Sequence, residues 1–293
     1  MTLIQLRSLC LIAEEGSFSR AAERMFVTQP ALSMQIKALE QEIGQTLLDR
    51  TGGRVTLTDA GRALAGGARD AMARLDDAVQ EVARVGGLEH GTLAIGSSDT
   101  IGEFYLQPIL AAFIARHPGI SITVHNKPTA EIEQLVLDNT AEVGLVTLPV
   151  STPKLESRTI FGYRDLALCA PGMPPAGRRS VALEELVGAR LLLLPPETRS
   201  RMLLERDLSR AGVAAANVME LGSVHLQKSF ARIGLGVAIV PDYAVQAETA
   251  AGEICAVPIT GLSRREIGVI YRDGRPLSPA ARTFLAMLGP QGA

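Results

Sequence analysis

The sequence predicts a mainly α head carrying a winged helix-turn-helix, then a long linker helix, then an α/β tail of two lobes. Three observations predict it. Short amphipathic runs crowd Leu3 to Gly44, a heptad stripe follows Asp59, and beyond residue 90 apolar strand-like runs alternate with helical ones. A chain of 293 residues, 47% hydrophobic and 20% charged, is longer than one typical domain and can bury a substantial core.

In the head, Leu3, Leu6, Leu9, Cys10 and Ala13 share one helical face. Ala21, Ala22 and Met25 form a second, and Leu32, Ile36, Leu39 and Ile43 a third. Thr28 suits the cap of the third helix, and Pro30 its first turn, where a missing N–H costs nothing. Gln29, Pro30, Ser33, Met34 and Lys37 are left facing outward. Packed together, the three helices leave the last free to enter a DNA major groove. In "LLDRTGGRVTLTDAG", Gly52 and Gly53 mark a turn between extended pieces, which reads as a wing.

Charge neither demands nor forbids nucleic acid. Up to Thr58, Arg7, Arg20, Arg24, Lys37, Arg50 and Arg54 balance Glu14, Glu15, Glu23, Glu40, Glu42 and Asp49, so any footprint is local. Tryptophan is absent and aromatics make up 4%, which disfavours base stacking. No apolar run is long enough to span a bilayer, and Glu14 and Glu15 come too early for a signal peptide, so a cytoplasmic protein with no membrane partner is expected. Cys10, Cys169 and Cys255 make no metal spacing, and reduced buried thiols are expected.

From Thr58, a cap, the chain runs into Ala68, Met72, Leu75, Val79 and Val82 at alternating spacings of four and three. A lone helix with that seam needs a partner, although packing on its own domain stays open. Gly66 and Gly67 suggest close helix approach or a softer point. After "GGLEHG" come "TLAIGS" and a helix over Ile101 to Arg116, "ISITVH" and a helix over Thr129 to Asp138, then "VGLVTL". These predict βα units with a parallel sheet. A second set follows in "DLALCAP", "LLLLP", "VMELGS" and "GVAIVP" with their helices, and "REIGVIYRD" with a helix over Ser278 to Leu288 ends the chain.

The stretch from Leu3 to Gly61 resembles the N-terminal pattern of the LysR-type transcriptional regulators almost position by position. "TQPALSMQIKALE" resembles that family's recognition helix, with Leu48 standing where an aromatic is usual. The tail resembles the family's effector domain more loosely, chiefly in "IGLGVAIVP", and its two lobes look like those of periplasmic binding proteins. "SDTIGEFYLQP" resembles the form seen in family regulators of carbon fixation and sulfur metabolism. The resemblance implies a DNA-binding domain over 1–58, a linker and dimerisation helix over 59–89 and an effector domain over 90–293. Lobe one would take about 91–161 plus 266–293, and lobe two 162–265. It implies a homodimer or homotetramer on double-stranded DNA with an interrupted inverted repeat, a small-molecule effector, no cofactor, and RNA polymerase as a further candidate partner.

The candidate DNA-binding residues are Thr28, Gln29, Pro30, Ser33, Met34, Lys37, Arg50 and Arg54. Gln29 and Ser33 can bond base edges, while Lys37, Arg50 and Arg54 suit phosphates or the minor groove. Arg20 and Arg24 read equally as solvated helix charges. The candidate effector-binding residues are Ser98, Thr100, Thr129, Thr147, Thr198 and His225, hydroxyls and a histidine at strand ends, where α/β pockets form. Each hydroxyl alone also reads as a helix cap, and His225 as a capping or surface residue; together the hydroxyls suggest an anion site, with Arg199 or Lys228 adding charge. Asp99 works against a strong anion if it points inward. The four histidines are scattered and no catalytic or metal spacing is present, so an enzyme is the distant alternative. A redox sensor using Cys169 or Cys255 is the nearer one.

Overall fold

The computed structural model describes residues 1–51, 54–84, 90–150, 152–186 and 188–289, with the backbone alone for 77 and 79–84. Two compact units result, Met1–Gly87 with Asp138–Thr140, and Leu88–Leu137 with Ala141–Ala293.

The first unit holds α1 (Leu3–Glu15), α2 (Phe18–Arg24), α3 (Gln29–Ile43), β1 (Leu48–Asp49), β2 (Thr56–Leu57) and α4 (Asp59–Arg84). Each helix start is set by its cap. Thr2 and Gln5 form a reciprocal capping box on α1, Ser17 accepts from the Arg20 amide, and Thr28 accepts from the Ala31 amide at 3.4 Å. The core joins Leu6, Leu9, Cys10, Ile12, Ala21, Ala22, Leu32, Ile36, Leu39 and the wing residue Leu48. Three expected members fall outside it: Leu3, 52% exposed, and Ile43, 39% exposed, each stand at a helix end beyond the contact, and Ala13 is half-buried outside the cluster, while Ile12 joins it. The two short strands pair antiparallel as a wing. Gly52 and Gly53 lie outside the described residues.

The linker helix begins as expected, with Thr58 accepting from the Gly61 amide at 3.0 Å. Its stripe divides. Ala65 and Ala68 are buried in the head's own core with Met72 packed against it, while Leu75 is 48% exposed. The close approach is at Gly61, where a β-carbon would meet the Leu47 carbonyl oxygen at 2.0 Å; at Gly66 and Gly67 nothing lies within 4 Å. The Val79 and Val82 side chains are outside the described set.

The second unit has two sheets. The first orders β4 (Ile120–Asn126), β3 (Gly91–Ser97), β5 (Val143–Leu148), β13 (Arg265–Arg272) and β6 (Leu155–Tyr163). The other orders β10 (Val218–Glu220), β9 (Leu191–Leu193), β11 (Val237–Pro241), β7 (Asp165–Cys169), β12 (Cys255–Thr260) and β8 (Val181–Ala182). Helices α5 (Asp99–Ile101), α6 (Gln107–Arg116), α7 (Thr129–Leu137), α8 (Leu183–Leu186), α9 (Arg199–Arg210), α10 (Val224–Arg232), α11 (Gln246–Ala250) and α12 (Pro279–Met287) complete it. Separate apolar clusters lie on the two faces of each sheet. Helix α7 settles close on the first sheet because Gly96 and Gly144 leave room for Ile132: a β-carbon at either would sit within 2.7 Å of its Cγ2.

Both sheets are mixed rather than parallel. β13 runs antiparallel to β5 and β6, and β7 antiparallel to β11 and β12. The chain leaves the first sheet through β6 into β7 and returns through β12 into β13, and a returning strand enters from the opposite end. The helix expected over Ile101 to Arg116 is interrupted by a π-helical turn at Gly102–Leu106, where the Gln107 amide reaches back to the Gly102 carbonyl. Pro108 explains it, since it offers no N–H and its ring crowds the carbonyl of Phe104.

An ion network joins the two crossovers. Arg265, 2% exposed, donates from Nε to Asp165 Oδ2 at 3.2 Å, and its Nη2 lies 2.9 Å from Asp207 Oδ2. Asp207 also accepts from the Ser263 hydroxyl at 2.7 Å and amide at 3.0 Å.

Candidate nucleic-acid interface and ligand cleft

In the first unit, α3 presents Thr28, Gln29, Pro30, Met34 and Lys37 as exposed residues and Ser33 as a half-buried one. Their exposure follows from the register: Leu32, Ile36 and Leu39 face inward, so the first turn's polar side chains face out. The Ser8 hydroxyl, buried in α1, holds Gln35 at 2.9 Å and fixes the rotation of α3.

The basic residues divide by partner. Arg24 donates to Glu15 at 2.7 Å, and Arg20 lies 3.4 Å from the same carboxylate, which the Arg24 hydrogen bond, above all, holds below its ordinary range. Arg50 stacks on Phe18 at 4.9 Å and lies 3.8 Å from Glu40. Glu40 in turn accepts the Leu47 amide at 2.8 Å, so the start of the wing is tied to α3. Arg54 is exposed with its side chain against Gly16, and Lys37 is exposed on α3.

In the second unit a cleft of about 220 Å³ opens at the carboxyl ends of the strands. It is lined by Ser98, Thr100, Thr129, Thr147 and Thr198, five of the six expected residues, with Asp99, Asn126, Lys127, Arg199, Ser200, Ser223 and Tyr243. Both sheets contribute, and the N-termini of α7, α9 and α10 all reach it. Three helix ends aimed at one space supply free N–H groups and positive dipole ends.

Hydrogen bonding separates caps from available hydroxyls. Thr198 caps α9, accepting from the Arg201 amide at 3.4 Å and donating to the Pro195 carbonyl at 2.8 Å. Ser223 caps α10, accepting from the Leu226 amide at 3.2 Å. Ser98 occupies the N-cap position of α5, yet its side chain makes no cap hydrogen bond. Thr147 shares a hydrogen bond with the Tyr163 hydroxyl, which also meets Ser200 of α9; burial pushes that phenol well above its ordinary range. Charge in the cleft is mixed. Arg199 donates to Glu133 at 3.3 Å, Lys127 lies 3.4 Å from Glu131, and Asp99 accepts from the Asn126 amide at 3.2 Å.

Two expected contributors are elsewhere. His225 does not line the cleft; it is exposed in the first turn of α10. Lys228 is buried against Phe104 at 4.2 Å, donates to the Ala244 carbonyl at 2.9 Å and pairs with Glu248, so its charge is already satisfied. Cys169 and Cys255 stand opposite each other on paired strands, but Cys169 is buried and burial, then its neighbour, pushes its thiol up, which disfavours the reactive thiolate. Among the described residues no group of His, Cys, Asp and Glu could hold a metal ion, and no helix is long and apolar enough to cross a membrane.

A winged helix-turn-helix, a long helix and a two-sheet domain with a polar cleft define a DNA-binding regulator with a ligand-binding domain. Residues 3–62 match the family described as bacterial regulatory helix-turn-helix protein, lysR family, and residues 86–293 match the LysR substrate binding domain. The chain belongs to the LysR family of transcriptional regulators. It is 30% identical to a probable RuBisCO transcriptional regulator of Trichormus variabilis, across 100% of this chain and 89% of the relative. It is 28% identical to the RuBisCO operon transcriptional regulator of Allochromatium vinosum, across 97% and 94%. A full-length OxyR variant from Pseudomonas aeruginosa shares the fold at a TM-score of 0.79 and 24% identity, with 98% of this chain and 93% of that one covered. Full-length CbnR complexed with its target DNA shares it at 0.64 and 22%, with 98% and 99% covered.

Proposed function

We infer that this regulator senses a small anionic metabolite in the cleft and reads an interrupted inverted repeat as a homodimer or homotetramer in the cytoplasm, influencing RNA polymerase at its promoter. Residues 1–58 would bind DNA, 59–89 pair with a second chain and 90–293 bind the effector. The observation that carries the effector reading is the convergence of three helix N-termini on a small cleft where Ser98 leaves a hydroxyl uncommitted. Arg199 lines it as well, paired with Glu133 at 3.3 Å. Asp99 narrows the choice to ligands that carry a donor as well as an anionic group, such as hydroxy acids or sugar phosphates.

The test is a thermal-shift screen of hydroxy acids, dicarboxylates and phosphate esters on the full chain, followed by calorimetric titration of any hit. Ser98→Ala should lower affinity by about 1.5 to 3 kcal/mol, the range for a hydrogen bond to a charged group, and leave the ligand-free melting temperature alone. Thr198→Val should behave as a cap loss, costing about 1 kcal/mol of stability with or without ligand. A Ser98 variant that melts lower but binds as well as the parent would make that hydroxyl structural.

For DNA, Gln29→Ala should cost on the order of 1 to 3 kcal/mol on a duplex selected from a random pool by the full chain, and much less on unselected duplex. Equal losses on both duplexes would remove the base-reading role.

A further inference from the structure

The turn between α2 and α3 is closed by a pair of crossed hydrogen bonds: the Val27 amide donates to the Ala22 carbonyl at 3.0 Å, and the Phe26 amide to the Glu23 carbonyl at 3.1 Å. This is the Schellman ending of a helix, and it puts Phe26 in the left-handed region at φ +55°. Glycine is the usual occupant there, because any β-carbon crowds the neighbouring carbonyl. Here the position carries a phenyl ring that is 97% exposed. The ring strains the turn and adds nothing to the head's core, so its contribution lies in contact with something outside the chain.

Its place in the fold indicates what that is. Phe26 stands two residues before Thr28, the N-cap of α3, and continues the exposed surface of Val27, Thr28, Gln29 and Met34. A residue just ahead of the leading end of a helix in the major groove meets the backbone wall of that groove, while the first helical turn meets the bases. We propose that the Phe26 ring packs on deoxyribose of the strand bordering the groove, an apolar contact independent of sequence that sets how α3 enters. The proposal rests on the reading of α3 as the helix that enters the groove.

The experiment compares the full chain with Phe26→Gly and Phe26→Asn, both compatible with the left-handed turn, and with Gln29→Ala. The probes are the selected duplex and an unselected one. The Phe26 variants should melt no lower than the parent and bind both duplexes about fivefold more weakly. The dependence of binding on salt should be unchanged, because no charge is lost, and the sedimenting mass should stay the same. Undiminished affinity overturns the proposal. So does a loss confined to the selected duplex, which would put the ring on a base, or a change in mass, which would put it against a second copy. Weakened selected-duplex binding in Gln29→Ala beside intact binding in the Phe26 variants refutes this contact alone, whereas an intact Gln29→Ala refutes the reading of α3.

Discussion

Arg265→Met should lower the stability of the effector domain by about 3 to 5 kcal/mol, the cost of removing one partner from a buried ion network. Methionine fills much of the volume but leaves Asp165 and Asp207, 8% and 3% exposed, without their shared cation. The two carboxyls already differ. Burial pushes that of Asp165 up, and Arg265 only partly offsets it. Burial also acts against the charge of Asp207, but the Ser263 hydrogen bonds and then Arg265 outweigh it and hold this carboxyl below its ordinary value.

The sign of the pH dependence follows. In the parent, the depressed Asp207 contributes stability above its unfolded pKa, and that stability is lost as pH falls through the folded value. In the variant Asp165 loses the charge that partly offset its burial and Asp207 keeps only its Ser263 hydrogen bonds, so both folded carboxyls bind protons more readily than in the parent. The deficit is therefore largest near neutrality and shrinks on acidification. Urea denaturation followed by circular dichroism measures it. A loss under about 1 kcal/mol at pH 7 would falsify the account. Adding Asp165→Asn and Asp207→Asn to Arg265→Met should recover part of the loss, since no uncompensated charge then remains buried.

That network was invisible in the sequence, whereas the head was largely legible, and sequence separation explains both. Caps and helical faces are local: Thr28, Pro30 and the Leu32–Ile36–Leu39 stripe lie within a dozen residues and act together. Arg265 and Asp165 are 100 residues apart, and no short-range pattern marks them as partners. β6 escaped for another reason. It stands at the edge of its sheet with Glu156 to Thr159 exposed, so "LESRTIFGY" lacks the apolar run that reveals a central strand. Pro108 did announce a disturbance in the helix after β3, and reading it as a breaker would have found the π-turn.

The cleft shows the same division. Its hydroxyls were legible because strand ends are recognisable and pockets in α/β sheets form there. Which hydroxyls cap and which stay uncommitted was not, because Thr198 and Ser98 occupy equivalent positions in the sequence pattern. Only the hydrogen bonds distinguish them. Lys228 illustrates the converse error: a lysine early in a helix beside the cleft suggests a ligand contact, and its partner Glu248 is supplied by a different helix.

Leu75→Asp should abolish dimerisation and, with it, high-affinity binding to a full inverted repeat. The described part of α4 uses Ala65, Ala68 and Met72 within its own head, and Leu75, the next residue of the stripe, is 48% exposed in the single chain, where the proposed pairing with a second chain would begin. A side chain that is half exposed in one chain contributes little to that chain's fold, and the substitution should leave the melting of the head nearly unchanged. In a paired seam the same position is desolvated. An aspartate there faces its symmetry mate, and burying a charge without a partner costs several kcal/mol per site. Losing the dimer also uncouples two half-site contacts. Binding to the full repeat should then drop to the level of a single half-site, a fall on the order of a hundredfold or more. Sedimentation at micromolar concentration, paired with titration of full and half sites, reads both effects. An intact dimer carrying Asp at position 75 would show that the seam lies elsewhere, whereas a monomer whose head has also unfolded would show that Leu75 belongs to the head's own packing.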